Sequence, residues 1–161
     1  MTSHIRNRIL PALLSCTLPL LAACSLLPAR PQPTEPETGP LAGTSWTLLS
    51  LGPVDDPTLV VQGAAVTLDF GEVNQVAGTG GCNSFGGTVE VRGAEIAFSS
   101  VASTLMACLD EAVMDQEAQY FAALNAAETY VLSNGVLTIY YGEGEALVFS
   151  ENLPEAPGSS G

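Results

Sequence analysis

The sequence contains no lysine, and its single histidine, His4, lies at the far N-terminus. Arg6, Arg8, Arg30 and Arg92 are the only permanently cationic side chains against 17 acidic residues, giving a formal net charge of −13. Nucleic acid and anionic lipid headgroups are bound by clustered Lys and Arg, so this balance argues against both as direct electrostatic partners. Without lysine there is no Schiff-base chemistry. Without a histidine beyond position 4, no Ser-His-Asp or Cys-His nucleophile and no His-ligated zinc can be assembled in the body of the chain. No EF-hand loop or GK[ST] phosphate loop is present, and Gly78-Thr79-Gly80-Gly81 fails to complete G-x-G-x-x-G because position 83 is Asn. The expectation is no cofactor and no metal. Carboxylates are the one catalytic resource left. Asp55-Asp56, Asp110-Glu111 and Glu143/Glu145 are the closest groupings, and they read first as solvated turn and helix-end charge. A glycosidase-like enzyme would need two carboxyls facing each other across a cleft.

A long hydrophobic run is missing too. Ile9 to Ala23 is almost wholly apolar, but it is too short to span a bilayer comfortably, and Pro11 and Pro19 weaken it as a permanent helix. Preceded by Arg6 and Arg8 and ended by small residues, it reads as a removable export signal over residues 1–23. Leu21-Ala22-Ala23-Cys24 matches the lipobox of bacterial lipoproteins, in which the Cys thiol is acylated and cleavage falls just before it. The competing reading is an ordinary signal with a chance Cys beside the cut. With the signal removed, Arg30 and Arg92 stand against all 17 acids, a formal net charge of −15. Membrane affinity would then come from acyl chains such as palmitate on Cys24, and two or more chains are what stable anchoring requires. Ser25, not an acidic residue, follows Cys24. This favours the outer membrane in a two-membrane cell; a single-membrane cell has only its cell membrane to offer. Residues 24–40, rich in proline, read as a tether, residues 41–151 as one domain, and residues 152–161 as a disordered tail.

Within the domain, alternation of apolar and polar residues predicts half-buried strands. Val66, Leu68 and Phe70 share one face, as do Ile96 and Phe98; Trp46-Thr47-Leu48 begins an earlier strand and Thr88 to Val91 forms another. Tyr130-Val131-Leu132 and Leu137-Thr138-Ile139 flank Asn134-Gly135, the pair that suits a type I′ hairpin turn. Gly142-Glu143-Gly144 turns the chain into Leu147-Val148-Phe149. One segment, about Asp110 to Ala127, has helical spacing through Val113, Tyr120 and Leu124, with Met114 and Phe121 beside them. Asp110 is its expected N-cap, and Glu111 suits the helix dipole. Asp115, Glu117 and Gln119 are placed on the outer face, while Met114 and the aromatics are read as core. The fold class is therefore α+β: a single antiparallel, strongly twisted or barrel-like sheet with one helix inserted between strands.

Of four cysteines, Cys16 leaves with the signal and Cys24 takes lipid. Cys82 and Cys108 remain as an even pair in an oxidising compartment, so a disulfide is the first expectation. Two buried free thiols, packing as small hydrophobes, are the alternative.

From Gly78 to Cys108 the chain resembles the META domain family, also called HslJ-like. The resemblance rests on Gly80-Gly81-Cys82-Asn83-Ser84-Phe85-Gly86-Gly87 and, after a strand, Thr104-Leu105-Met106-Ala107-Cys108. Gly43-Thr44-Ser45-Trp46 and the helix end Phe121-Ala122-Ala123-Leu124 agree with it. Leu105 stands where the family often has a basic residue, and Thr88 where it often has an aromatic. The resemblance implies a single antiparallel α+β domain, frequently secreted or lipid-anchored and sometimes associated with heat or envelope stress, and it brings no catalytic mechanism. Gly80, Gly81, Asn83, Phe85, Thr104 and Met106 form the signature. They are open to a structural reading, through positive φ, close backbone approach and side-chain hydrogen bonds, and to a partner-binding one.

Two functions follow as expectations. One is a monomeric, non-enzymatic, extracytoplasmic lipoprotein that supports the envelope under stress through an unknown protein or peptide partner. The other is a peptide-, protease- or small-ligand-binding module, for instance an inhibitor, that displays the Gly/Asn-rich loop.

Overall fold

The computed structural model of the protein describes residues 39–152. The expected export signal over residues 1–23, Cys24, Arg30 and nearly all of the segments read as tether and tail lie outside the described residues. A short 3-10 turn (Gly39–Leu41) leads into β1 (Ser45–Pro53), β2 (Thr58–Leu59), β3 (Val66–Phe70), β4 (Gln75–Gly80), β5 (Ser84–Arg92) and β6 (Glu95–Ser103). Helix α1 (Glu111–Asn125) follows, then β7 (Ala127–Ser133), β8 (Val136–Tyr141) and β9 (Glu145–Glu151).

All strand pairings are antiparallel, and β1 hydrogen-bonds both β3 and β9, so β1 and β3 to β9 close into an eight-stranded barrel. The two-residue β2 extends the β3 side of β1. Closure removes the sheet edges that would otherwise invite pairing with other chains. The expected antiparallel, barrel-like sheet with an inserted helix is what the structure shows.

Period-2 alternation builds the interior. In β3, Val66, Leu68 and Phe70 are buried while Thr67 and Asp69 are half-buried. Leu137 and Ile139 of β8 and Leu147 and Phe149 of β9 are fully buried. A register shift between Leu48 and Ser50 of β1 resets the alternation, so that Leu48 and Leu51, three residues apart, both face the core. Asn134 (φ 52°) and Gly135 (φ 73°) adopt the positive φ that their hairpin turn requires.

The glycine-rich stretch departs from the sequence expectation of a long loop. Residues 75–80 and 84–92 are strands, and only 81–83 form the turn between them. Gly78 explains part of this: a Cβ there would sit 2.2 Å from the Thr67 carbonyl oxygen, so the β3–β4 approach needs a residue without a side chain.

Because hairpins alternate, the connections fall into two sets at opposite ends of the barrel. The turn end carries residues 71–74, 93–94 and 134–135, and the chain also enters it through Gly39–Thr44 and leaves it at Asn152. Asn152, assigned from the sequence to the tail, is tied there by its N–H to the Ser45 carbonyl (2.8 Å) and by Thr47 (2.7 Å). The plug end carries residues 54–65, 81–83, 104–110 and 142–144, together with α1. The weakest lateral contact is β6–β7, with one paired position, Glu95 with Thr129, and the Tyr130 N–H to the Ala94 carbonyl (2.8 Å). Helix α1 crosses between those two strands in sequence.

Candidate functional site

Helix α1 starts where the sequence places it. Asp110 is the N-cap, its side chain accepting from the Ala112 N–H (3.0 Å), and Glu111 follows at the positive end of the dipole. Tyr120 and Leu124 are fully buried and insert into the barrel. Phe85 of β5 meets Tyr120 edge-on at 5.9 Å and Phe121 at 5.4 Å, a geometry aromatic rings favour.

Two helix residues correct the sequence reading. Glu117, expected on the outer face, is buried, and Met114, expected in the core, is 42% exposed. Glu117 lies four residues after Val113 and three before Tyr120, so it occupies the stripe position that the apolar pattern leaves empty. Met114 is one step off that line. Three polar side chains of α1 then fasten it to the barrel. Gln116 Oε1 accepts from the Val61 N–H (2.7 Å), Tyr120 Oη donates to the Thr67 carbonyl (3.1 Å), and Glu117 binds the 81–83 turn.

The Glu117 carboxylate accepts three hydrogen bonds. Oε2 takes the backbone N–H of Cys82 (3.1 Å) and of Asn83 (2.6 Å), and Oε1 takes Asn83 Nδ2 (2.6 Å). Asn83, also buried, passes the connection on. Its Oδ1 accepts from Thr104 Oγ1 (2.8 Å) and the Met106 N–H (2.7 Å), while Nδ2 also reaches the Met106 carbonyl (3.4 Å). The amide orientation is fixed chemically, since a carboxylate only accepts and a backbone N–H only donates. A Cys82–Cys108 disulfide, with Cα atoms 6.0 Å apart, joins the same two segments covalently.

Every signature residue has a place in this assembly. Gly80 makes room for it: a Cβ there would lie 2.6 Å from Glu117 Oε2 and 2.7 Å from its Cγ. Gly81 turns the chain at φ 109°. Asn83 is the hub, Phe85 packs beneath the helix, Thr104 donates through its hydroxyl, and Met106 contributes its backbone while its side chain is 58% exposed. Sequence reasoning missed Glu117, the group on which the others converge.

Beside this lock lies an open cleft of about 410 Å³ between the 104–109 loop and α1, lined chiefly by Leu105, Met106, Met114, Ala118 and Phe121, with Asn83 and Glu117 at its base. Leu105 is 97% exposed and Leu109 is fully exposed. A second groove of similar size follows the β6–β7 seam and holds Glu90, Glu95, Glu128 and the Glu90–Arg92 ion pair. The acidic groupings Asp55-Asp56, Asp110-Glu111 and Glu143/Glu145 line neither of these. Among the described residues no group of three His, Cys, Asp or Glu is placed to hold a metal ion. Burial pushes the Tyr120 phenol well above its usual value, and the Asp69 charge adds to the rise. Tyr141 is also raised, by burial first and then by Glu145, with a hydrogen bond to the Gly52 backbone opposing them.

The META domain model matches residues 39–153, which takes in the whole barrel and every residue of the lock. The chain belongs to the META domain family. Three solved structures share the fold of this META domain. A protein from Burkholderia xenovorans, determined by NMR, superposes with a TM-score of 0.60 at 23% identity, covering 71% of this chain and 85% of that one. A second NMR structure gives 0.55 at 21% identity, covering 68% and 90%. A DUF4847 family protein from Bacteroides vulgatus gives 0.56 at 14% identity, covering 70% and 94%. No curated protein matches the chain in sequence.

Proposed function

We propose that this META domain protein is a lipid-anchored extracytoplasmic protein that acts without catalysis, supporting the cell envelope under stress through contacts made at its plug end. The observation that carries this reading is the pairing of a rigid lock with an exposed apolar surface. Glu117, Asn83 and the disulfide hold the 81–83 and 104–108 segments, and the same segment turns Leu105 and Met106 outward beside Met114. Large exposed apolar side chains grouped around a cleft are a mark of interaction surfaces. The Glu117 carboxylate is engaged in holding the 81–83 turn, through three N–H donors. The Leu21-Ala22-Ala23-Cys24 motif supports the anchor. The described residues begin at the turn end, opposite the plug end.

Two measurements test this. Cys24→Ala should release a folded, soluble protein from the membrane fraction; retention after salt and carbonate washing would contradict the anchor. A photo-crosslinker at position 114 should capture an envelope protein under heat or detergent stress, and one at Val131 on the turn end should not. Equal capture, or none, together with a deletion strain that tolerates stress normally, would contradict the contact role.

A further inference from the structure

Both methionines beyond the initiator, Met106 and Met114, line the same cleft. Methionine is unbranched and polarisable, and surfaces rich in it adapt to varied apolar side chains. Leu105, almost fully exposed, extends this apolar surface along the loop. Exposed acids flank the helical side of the cleft without lining it: Asp110 at the N-cap and Glu111 and Asp115 on the first turns of α1. Glu111 lies three residues from Met114, and Asp115 three from Ala118, spacings that make them neighbours on the helix surface. Among the described residues none of these acids is ion-paired. Arg92 is the only basic residue among the described residues, and it sits at the turn end, paired with Glu90.

From this we propose that the cleft docks a cationic amphipathic peptide segment. Its leucine- or phenylalanine-type side chains enter between the 104–109 loop and α1, and its Lys or Arg side chains meet Glu111 and Asp115. This proposal rests on the reading of the plug end as a contact surface and adds the chemistry of the partner. Apolar anchors in a methionine-lined groove, flanked by acidic residues, are a recurring way of binding basic amphipathic helices. Charge decides against the other occupants. A second copy would bring flanking acids of the same sign and a chain with the same large negative charge, so like charges would oppose self-docking. A neutral apolar segment would gain nothing from the flanking carboxylates, which a cationic one attracts.

The test uses residues 33–161, whose described part, 39–152, contains the closed strand ring, the core and the disulfide. A dye-labelled helical peptide of leucine and lysine, about four turns long, is titrated and followed by fluorescence anisotropy at low and high salt. It should bind, and Leu105→Ser and Met114→Ser should each weaken it by roughly five-fold or more. Glu111→Gln combined with Asp115→Asn should weaken it at low salt and flatten the salt dependence. Val131→Ser and Glu95→Gln, at the turn end, should leave it unchanged. Equal weakening by the turn-end variants would mean general attraction to a negative protein and would overturn the proposal. A leucine and glutamine peptide binding as tightly would also overturn it, in favour of a neutral partner. So would a dimer in sedimentation that Met114→Ser abolishes, in favour of a second copy, and so would absence of binding. If position 114 captures an uncharged protein segment in cells, the contact role stands and the cationic partner falls.

Discussion

At the turn end, residues 71–74, Gly93-Ala94 and Asn134-Gly135 reverse the chain through backbone geometry, with positive φ at Asn74, Gly93, Asn134 and Gly135. At the plug end, the 81–83 and 104–108 segments are held by Glu117, Asn83, Thr104 and a disulfide, and α1 is fastened over them. In the first arrangement each turn joins strands adjacent in sequence. The second joins three elements distant in sequence, and it holds still the segment that exposes Leu105 and Met106. The signature residues Gly80, Gly81, Asn83, Phe85, Thr104 and Met106 gather at the plug end, where their chemistry is that of a lock, and the exposed surface beside it is what the lock presents.

The comparison is broken most strongly by removing the covalent tie. Replacing both Cys82 and Cys108 with Ala should cost on the order of 3 to 4 kcal/mol in denaturant unfolding, as expected for a bridge spanning 26 residues. Loss of protection should start at 81–83 and 104–110.

Glu117→Gln comes next, at about 2 to 3 kcal/mol. If the Gln oxygen keeps the Cys82 and Asn83 N–H groups, its amide nitrogen faces Asn83 Nδ2, donor against donor. Asn83 cannot flip in response, because Oδ1 is committed to the Met106 N–H. Thermal and urea unfolding measure the loss, and a neutral outcome would remove Glu117 from the account.

Alkaline pH sharpens the contrast from another side. Tyr120 and Tyr141 both lie at the plug end with raised values. Stability from keeping these phenols neutral is therefore intact below about pH 10, where an unfolded tyrosine ionises, and is lost as pH rises through the raised folded values. Among the four tyrosines, Tyr120 should show phenolate absorbance only together with unfolding. Ionisation of all four inside a native circular-dichroism signal would contradict its burial.

At the turn end, Gly135→Ala should cost only about 1 kcal/mol, the penalty for a side chain at positive φ. It should leave peptide binding at the cleft untouched.

The strands that were legible in the sequence carry alternating side chains. Val66, Leu68 and Phe70 fix β3, and Asn134-Gly135 fixes the β7–β8 hairpin. β4 was not legible, because of Gln75 to Gly80 only Val76 offers a large apolar side chain. β2 has two exposed residues and no pattern to read. The disulfide was one of two expectations from counting cysteines. What joins the pair is register: Phe85 faces Ser103 across β5 and β6, so Cys82 just before and Cys108 shortly after emerge at the same end. Glu117 was hidden because a carboxylate on an apolar stripe reads as surface until the N–H groups it must satisfy are known. Only tertiary structure brings Cys82, Asn83 and Met106 close enough to show that demand.

The most direct measurement of the lock is amide hydrogen exchange at Asn83 and Met106. Both lie outside strands and helix, yet their N–H groups are held by the side chains of Glu117 and Asn83. They should exchange as slowly as strand amides. In Glu117→Gln they should become fast while the β7–β8 hairpin keeps its protection. If both amides exchange at loop rates in the unmodified protein, the plug end is not locked and the contrast between the two ends fails.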